Sequence, residues 1–211
     1  VAGNPGLQKF IFAALFPVNL LLILTSGGQL FTGNSAAVPA AIFEGKATLE
    51  DLARSWGVSY LGNVIGCVGF ALATAYTGLL TGGTAELAVY TATKKCASSF
   101  GPTVVKAILC NWLVCMAVFL SGAAHDLAGK MVGIWFPIST FVAIGFEHSV
   151  ANLFLLPLGM LAKAKISFFD VMFKNLIPVT IGNAIAGALI VGAGYSYQFG
   201  KLGEKKGAAH M

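Results

Sequence analysis

Long apolar stretches alternate with short polar segments along this chain. Five apolar regions are long enough to cross a bilayer as helices, which takes about 20 mainly apolar residues. They cover residues 10–43, 55–80, 103–123, 131–162 and 175–200. The stretch 81–102 is too polar to span and predicts either an interfacial helix or a loop.

Two of the five regions are interrupted by glycines and polar residues. The first is broken at Gly27-Gly28-Gln29 and again at Thr32-Gly33-Asn34, and the fourth at the heptapeptide FEHSVAN, residues 146–152. Irregular backbone at membrane depth is tolerated only inside protein or along a water-filled cavity. The pattern therefore predicts two broken transmembrane helices that line a cavity.

Each interrupted region is followed by an uninterrupted one, and the two uninterrupted regions share a short motif. Gly62-Asn63-x-Ile65 matches Gly182-Asn183-x-Ile185, 120 residues further along. Three crossings separate the equivalent helices, so the two copies must have opposite orientation. Inverted repeats with broken helices that meet at the midplane indicate a substrate site.

The repeat also predicts the number of helices. The second copy comprises three helices, whereas two regions precede it and the chain opens on Val1 rather than Met. We therefore expect the first of six transmembrane helices to be absent from this sequence. The predicted organisation is one all-α transmembrane pore domain over residues 1–200, followed by a polar tail over residues 201–211.

Composition supports an integral, multi-pass membrane protein, in a membrane that the sequence does not identify. Hydrophobic residues make up 57% of the chain and charged residues 10%, against about 25% charged in soluble domains. The net charge of +5 comes from lysines that flank apolar runs, so a nucleic-acid partner is not expected. The four cysteines show no CxxC spacing and are interpreted as packing residues, with neither a metal nor a cofactor expected.

FEHSVAN places two ionisable residues, Glu147 and His148, at membrane depth. One charge at the bilayer centre costs about 2.5–3.5 kcal/mol on insertion scales, and such residues usually face a cavity. Histidine is the side chain whose proton moves near neutral pH, so His148 could donate a hydrogen bond or a proton to a passing anion, although a buried histidine bonded to a carbonyl remains the alternative. Glu147 is expected either to cap freed backbone donors or to pair with a neighbouring group. Asn152 is expected to satisfy backbone groups in a similar way, and Asn34 to have a structural role at the first break.

Three segments resemble the formate/nitrite transporter family: GGQLFTGNS at 27–35, NWLVCMAVFLSG at 111–122 and FEHSVANLFLLP at 146–157. The similarity runs from Gly6 to about Gly200. It implies an aquaporin-like inverted repeat, assembled as a homopentamer with one substrate pore through each protomer.

The resemblance also implies roles for individual residues. His148 would be the central pore histidine facing Thr32, and Lys95 would lie in a vestibule. Asn111 would line the pore, although an interhelical hydrogen bond is an equal alternative on sequence grounds. Hydrophobic constrictions would flank the histidine, with Phe16, Leu20, Leu30 and Phe31 on the first-break side and Val114 and Phe141, beside Asn111, on the other.

Charge along the chain adds to this picture. If the regions alternate across the membrane, one face carries seven lysines against two carboxylates, a net +5, and the other face a net +1. The seven are Lys9, Lys94, Lys95, Lys106, Lys163, Lys165 and Lys174. A basic face would concentrate anions, whereas scattered interface anchors are the alternative.

The free-energy costs of moving an anion and of protonating it then favour one mechanism. Moving a bare anion into a dry constriction costs tens of kcal/mol, whereas protonating a carboxylate of pKa about 4 at pH 7 costs about 4 kcal/mol. We therefore expect proton-linked passage of small monovalent weak-acid anions such as formate or nitrite, with lactate and hydrosulfide as further candidates. An aquaporin-like or ammonium-type channel for neutral solutes is the alternative. An enzyme is not expected, because neither Ser149 nor the cysteines form a nucleophile–base pair or a metal set.

Overall fold

The computed structural model describes residues 3–207, and these residues are helical apart from short connections. Residues 208–211 of the predicted tail lie outside the described residues. The helices are α1 Pro5–Leu15, α2 Val18–Ser26, α3 Phe31–Phe43, α4 Leu49–Tyr76, α5 Gly82–Lys95, α6 Phe100–Ala123, α7 Leu127–Ile144, α8 Ser149–Leu161, α9 Asp170–Phe199 and α10 Lys201–Gly207.

Within residues 3–207, five segments are long and apolar enough to cross a membrane: α1 with α2, α4, α6, α7 and α9. Helices α3 and α8 have 13 residues each, about 20 Å at 1.5 Å per residue, so each reaches only part of the way through a bilayer core of about 30 Å. They follow α2 and α7 after short breaks. The predicted all-α fold with two broken transmembrane helices is confirmed.

Both breaks are shorter than the sequence indicated. The first covers residues 27–30 and the second residues 145–148. The second interruption predicted at Thr32-Gly33-Asn34 is wrong, because these residues lie in the first turn of α3. Each break opens on a left-handed glycine, Gly27 at φ +76° and Gly145 at φ +91°, a conformation that glycine adopts without strain and that ends a helix.

The polar stretch between α4 and α6 contains a helix, α5, which packs on α8. Ala88 and Ala92 are its buried residues. A Cβ on Gly159 of α8 would lie 2.2 Å from the Cβ of Ala92. The two helices therefore approach through small residues, as is usual within membranes.

The first Gly-Asn motif clamps the first break. The side-chain Oδ1 of Asn63 accepts a hydrogen bond from the backbone N–H of Phe31 at 3.0 Å, and its Nδ2 donates to the carbonyl of Gln29 at 3.0 Å. Phe31 is the first residue of α3, and its N–H has no intrahelical partner. One asparagine thus satisfies a backbone donor and a backbone acceptor of the break.

The second motif clamps the second break in the same way. Oδ1 of Asn183 accepts from the N–H of Ser149, the first residue of α8, at 2.8 Å. Its Nδ2 donates to the carbonyl of Glu147 at 3.1 Å and to that of Ala107 in α6 at 2.8 Å. The repeat seen in the sequence is therefore also a repeat of hydrogen bonds.

The two copies meet at equivalent positions. Tyr60 in α4 and Thr180 in α9 are 120 residues apart and share a hydrogen bond of 3.1 Å between their hydroxyls. This separation equals that of the two Gly-Asn motifs. A contact between equivalent residues lies close to the axis that relates the two halves.

Helices α9 and α10 are hydrogen-bonded to the residue that follows α3. Glu44, directly after α3, accepts hydrogen bonds from the Ser196 hydroxyl and from the backbone N–H of Lys201, the latter at 3.1 Å. These bonds, chiefly the one from Ser196, hold the pKa of Glu44 below its usual range. Helix α3 is thus anchored by Asn63 at one end and by Glu44 at the other.

The clamps predict unequal losses of stability. Asn183→Ala leaves one donor and two acceptors of a fully buried site unpaired, each costing about 1–3 kcal/mol. We expect it to lower the free energy of unfolding by roughly 3 kcal/mol, and Asn63→Ala by less, because Asn63 is half-buried.

Unfolding in detergent micelles measures both losses. Asn19→Ala is the matched control, since its amide donates only to Phe16 within the exposed turn at the start of α2. Equal losses for Asn183→Ala and Asn19→Ala would contradict the clamp.

Candidate functional site

The two half-helices bring the predicted histidine and threonine together. Thr32 is the second residue of α3 and His148 is the N-cap of α8. Thr32 Oγ1 and His148 Nε2 lie 2.9 Å apart, and both side chains are buried. Because helix N-termini carry partial positive charge and free N–H groups, their meeting point is rich in donors.

The second ring nitrogen of His148 is already committed. Nδ1 accepts a hydrogen bond from the backbone N–H of Ala151 at 3.1 Å. In a neutral ring the proton then resides on Nε2, which donates to the Thr32 hydroxyl oxygen. The Thr32 hydroxyl proton is left for another acceptor. Adding a proton at Nδ1 would require that nitrogen to leave the Ala151 N–H.

An apolar cluster packs against one face of the histidine through Phe141. All six predicted constriction residues belong to one cluster, which we call the apolar cluster: Phe16, Leu20, Leu30, Phe31, Val114 and Phe141. The Phe141 ring stacks on the His148 ring at 5.7 Å between centroids, and the Phe16 ring meets Phe141 edge-on at 6.1 Å.

Phe16 and Phe141 contact each other directly, because α7 runs alongside α1 and α2. The resemblance placed Val114 and Phe141 on the opposite side of the histidine from Phe16, and this division into two constrictions stays a prediction.

Asn111 joins three helices. Its Nδ2 donates to the Asn183 carbonyl at 2.6 Å, to Ser35 Oγ at 2.8 Å and to the Thr32 carbonyl at 3.3 Å. The residue is fully buried in α6, and its partners lie on α3 and α9. This geometry corresponds to the interhelical hydrogen bond, one of the two roles that the sequence left open.

Glu147 is the hub of a buried polar network at the second break. Its Oε2 accepts from Lys95 Nζ at 3.0 Å, from Asn152 Nδ2 at 2.7 Å and from Asn175 Nδ2 at 3.2 Å. The Lys95 ammonium is therefore neutralised by Glu147. Its place in a vestibule stays a prediction.

The first break carries the same network without charge. Asn34 Nδ2 donates to Gln29 Oε1 at 2.9 Å and to Ser55 Oγ at 3.2 Å. Gln29 lies two residues before α3, as Glu147 lies two residues before α8. Asn34 thus corresponds to Asn152 in the other half.

Sequence reasoning missed Asn175 and gave no role to Asn63 and Asn183. Asn63 and Asn183 carried a signal, since they anchor the repeated motif. Asn175 lies 120 residues after Ser55, so extending the repeat backwards would have found it.

No metal centre is formed by the side chains of the described residues, among which no group of three His, Cys, Asp or Glu could hold an ion. The four cysteines are free thiols. Cys67 donates a weak hydrogen bond to the Val150 carbonyl at 3.4 Å. These thiols pack between helices.

Both sequence and fold match those of known transport proteins. The family profile described as "Formate/nitrite transporter" matches residues 1–197. The "Probable formate transporter" of Methanothermobacter thermautotrophicus is 41% identical, over 94% of this chain and 78% of that protein. The "Formate channel BtFdhC" of Bacillus thuringiensis is 39% identical, over 90% and 73%. A solved "Pentameric formate channel with formate bound" superposes with a TM-score of 0.80 at 27% identity, over 92% and 84%.

The two networks predict different costs for two substitutions of Glu147. Glu147→Gln retains an acceptor for Asn152 and Asn175, as Gln29 does for Asn34 at the first break. Glu147→Leu removes it, leaves the partly buried Lys95 ammonium unpaired and takes one of two acceptors from each amide, which keep Asn175 Oδ1 and the Lys95 carbonyl. We expect Glu147→Leu to cost about 3–5 kcal/mol of stability and Glu147→Gln clearly less.

Thermal unfolding in detergent separates the two variants. Lys95→Met added to Glu147→Gln should recover part of the remaining loss, because it removes the unpaired cation. Equal destabilisation by Gln and Leu would mean that the carboxylate charge alone, and not the shared acceptor, holds this break.

Proposed function

The chain belongs to the formate/nitrite transporter family, and on this premise we propose that it is a transmembrane channel for small monovalent weak-acid anions of the formate or nitrite class. Transport is linked to a proton through His148. As a member of this family the chain is an integral, multi-pass membrane protein, and its family and structural neighbours are channels and transporters. An enzymatic role has no support among them.

One observation carries the proposal. His148 Nε2 and Thr32 Oγ1 meet at 2.9 Å where two half-helices begin within a single protomer. Two helix N-termini, an imidazole N–H and a hydroxyl then converge on one point inside apolar surroundings. Such a point suits a solute with negatively charged oxygens, since helix N-termini bind anions.

Passing the apolar cluster as an ion costs that solute free energy. A bare anion loses its hydration there at a cost of tens of kcal/mol in the Born limit. Forming the neutral acid at pH 7 costs about 4 kcal/mol for a carboxylic acid. The solute therefore crosses as the neutral acid or while sharing a proton at His148.

The capping bond limits what His148 does in this scheme. With Nδ1 held by the Ala151 N–H, neutral His148 offers one proton, on Nε2. Giving that proton away entirely would leave an imidazolate. His148 therefore acts as a hydrogen-bond donor that shares its Nε2 proton with the passing solute.

Formate is the substrate that the relatives favour, since the solved neighbour is described as holding formate. Nitrite, lactate and hydrosulfide share its single charge and its conjugate weak acid. The same neighbour is described as pentameric, and we propose a homopentamer in which each protomer has its own pore. Large apolar side chains exposed on α4, such as Leu61, Ile65 and Phe70, are suited to contact lipid or a neighbouring protomer.

A channel for a neutral solute is the second candidate. Two features favour a neutral solute: a neutral His148 ring and an apolar lining would both also allow ammonia or water to pass. The excess of lysines that the sequence predicts on one face of the membrane favours an anion instead. Comparing ammonium with formate in one vesicle preparation distinguishes the two candidates.

Transport by purified protein in liposomes tests the proposal. We expect formate uptake to rise when the outside is acidic, because the proton gradient then drives the acid inward. His148→Asn retains a side chain that can cap α8 but lacks the ring Nε2–H. It should slow uptake by roughly ten- to a hundredfold, since a hydrogen bond to a charged group contributes about 1.5–3 kcal/mol.

Stopped-flow uptake of formate, nitrite, lactate and hydrosulfide across an imposed pH gradient gives the measurement. Thr32→Val is the companion variant, because it removes the hydroxyl and preserves the shape of the side chain. Unchanged pH dependence in His148→Asn would refute the proton role. Ammonium uptake faster than formate uptake would favour the second candidate.

A further inference from the structure

Two aromatic side chains of α4 pack against the ring of Phe31. The Phe31 centroid lies 5.0 Å from that of Tyr60 at an interplanar angle of 83°, and 5.7 Å from that of Trp56 at 76°. Both contacts are edge-to-face, a geometry that stabilises aromatic pairs beyond their buried area. Phe31 is buried and directly precedes Thr32, whose hydroxyl meets His148.

Trp56 and Tyr60 are themselves fixed at their polar ends. The Trp56 indole N–H donates to a backbone carbonyl of α3 at 3.3 Å, and the Tyr60 hydroxyl shares its hydrogen bond with Thr180 in the other half. Asn63, which accepts from the Phe31 N–H, lies on the same face of α4, since side chains three and four residues apart are neighbours on a helix. One face of α4 therefore holds both the backbone and the ring of Phe31.

The second half of the molecule forms its break without such rings. Ser149 begins α8 as Phe31 begins α3, and the residue 120 positions after Tyr60 is Thr180. Both half-helices are nevertheless clamped by an asparagine. Because the asparagine clamp is enough to build a break, the aromatic contacts at the first break have a role beyond closing it.

We propose that Trp56 and Tyr60 are positioning residues that set the size limit of the pore by holding the Phe31 ring beside the contact between Thr32 and His148. This inference rests on the proposed function, in which the solute passes the apolar cluster that contains Phe31. A ring held on two sides does not swing aside for a larger solute. Selection by size then depends on α4 side chains that act through Phe31.

Uptake of formate, acetate and lactate by proteoliposomes tests this role. Tyr60→Leu removes one ring and leaves space on the α4 side into which Phe31 turns, so the passage widens. We expect the ratio of lactate uptake to formate uptake to rise roughly two- to tenfold, the change in an equilibrium constant that one aromatic pair supports. A purely structural role would lower both rates through the fraction of active protein and leave their ratio unchanged.

Three further variants separate the contacts. Tyr60→Phe retains the edge-to-face ring and should retain the wild-type ratio. Trp56→Leu removes the other ring and should raise the ratio, and it provides the same test if Tyr60→Leu does not fold. Phe70→Leu is the matched control, because it removes a different aromatic pair of α4, that with Phe154, about 15 Å along the helix from Tyr60. It should leave the ratio unchanged.

A double variant shows whether Tyr60 acts through Phe31. In a Phe31→Ala background, Tyr60→Leu should change the ratio no further, since residues that act as a unit give non-additive effects. An additive effect there, an unchanged ratio in Tyr60→Leu and Trp56→Leu, or an equal rise in Phe70→Leu would overturn the inference and leave the proposed function standing. Wild-type vesicles that take up none of the three acids would overturn both.

Discussion

Backbone groups freed at a helix break must find partners inside the protein, because a bilayer core supplies none. This constraint governs the arrangement of the whole pore region. Asn63 and Asn183 meet it from the uninterrupted helices α4 and α9, each bonding the first N–H of a half-helix and a carbonyl of the break. Fixing the breaks also fixes Thr32 and His148, which lie directly beside the first residues of the two half-helices.

The same constraint shapes the chemistry of the histidine. Nδ1 serves as the N-cap of α8, so one ring nitrogen satisfies backbone and the other faces Thr32. His148 therefore has one fixed donor, oriented by the helix that it begins, and its surroundings of apolar side chains strengthen that donor by excluding water.

Sequence patterns predicted the features of the fold that depend on hydrophobic periodicity and on composition. The two broken helices, the repeated Gly-Asn motif and the pairing of Thr32 with His148 follow from features along the chain or from the family resemblance. The extent of the first break did not, because Thr32-Gly33-Asn34 reads as a loop yet lies in the first turn of a helix. Asn175 and the Lys95–Glu147 pair were also missed, since their partners lie on helices whose contacts the sequence alone does not specify.

The two halves match in hydrogen bonding but differ in charge. Gln29 and Glu147 each present an Oε acceptor to the asparagine five residues later, Asn34 or Asn152. An amide and a carboxylate have nearly the same shape, so this exchange alters the electrostatics of one end without altering the geometry of the break. The two breaks thus share one hydrogen-bonding geometry, while the second alone adds a buried ion pair, Lys95 with Glu147.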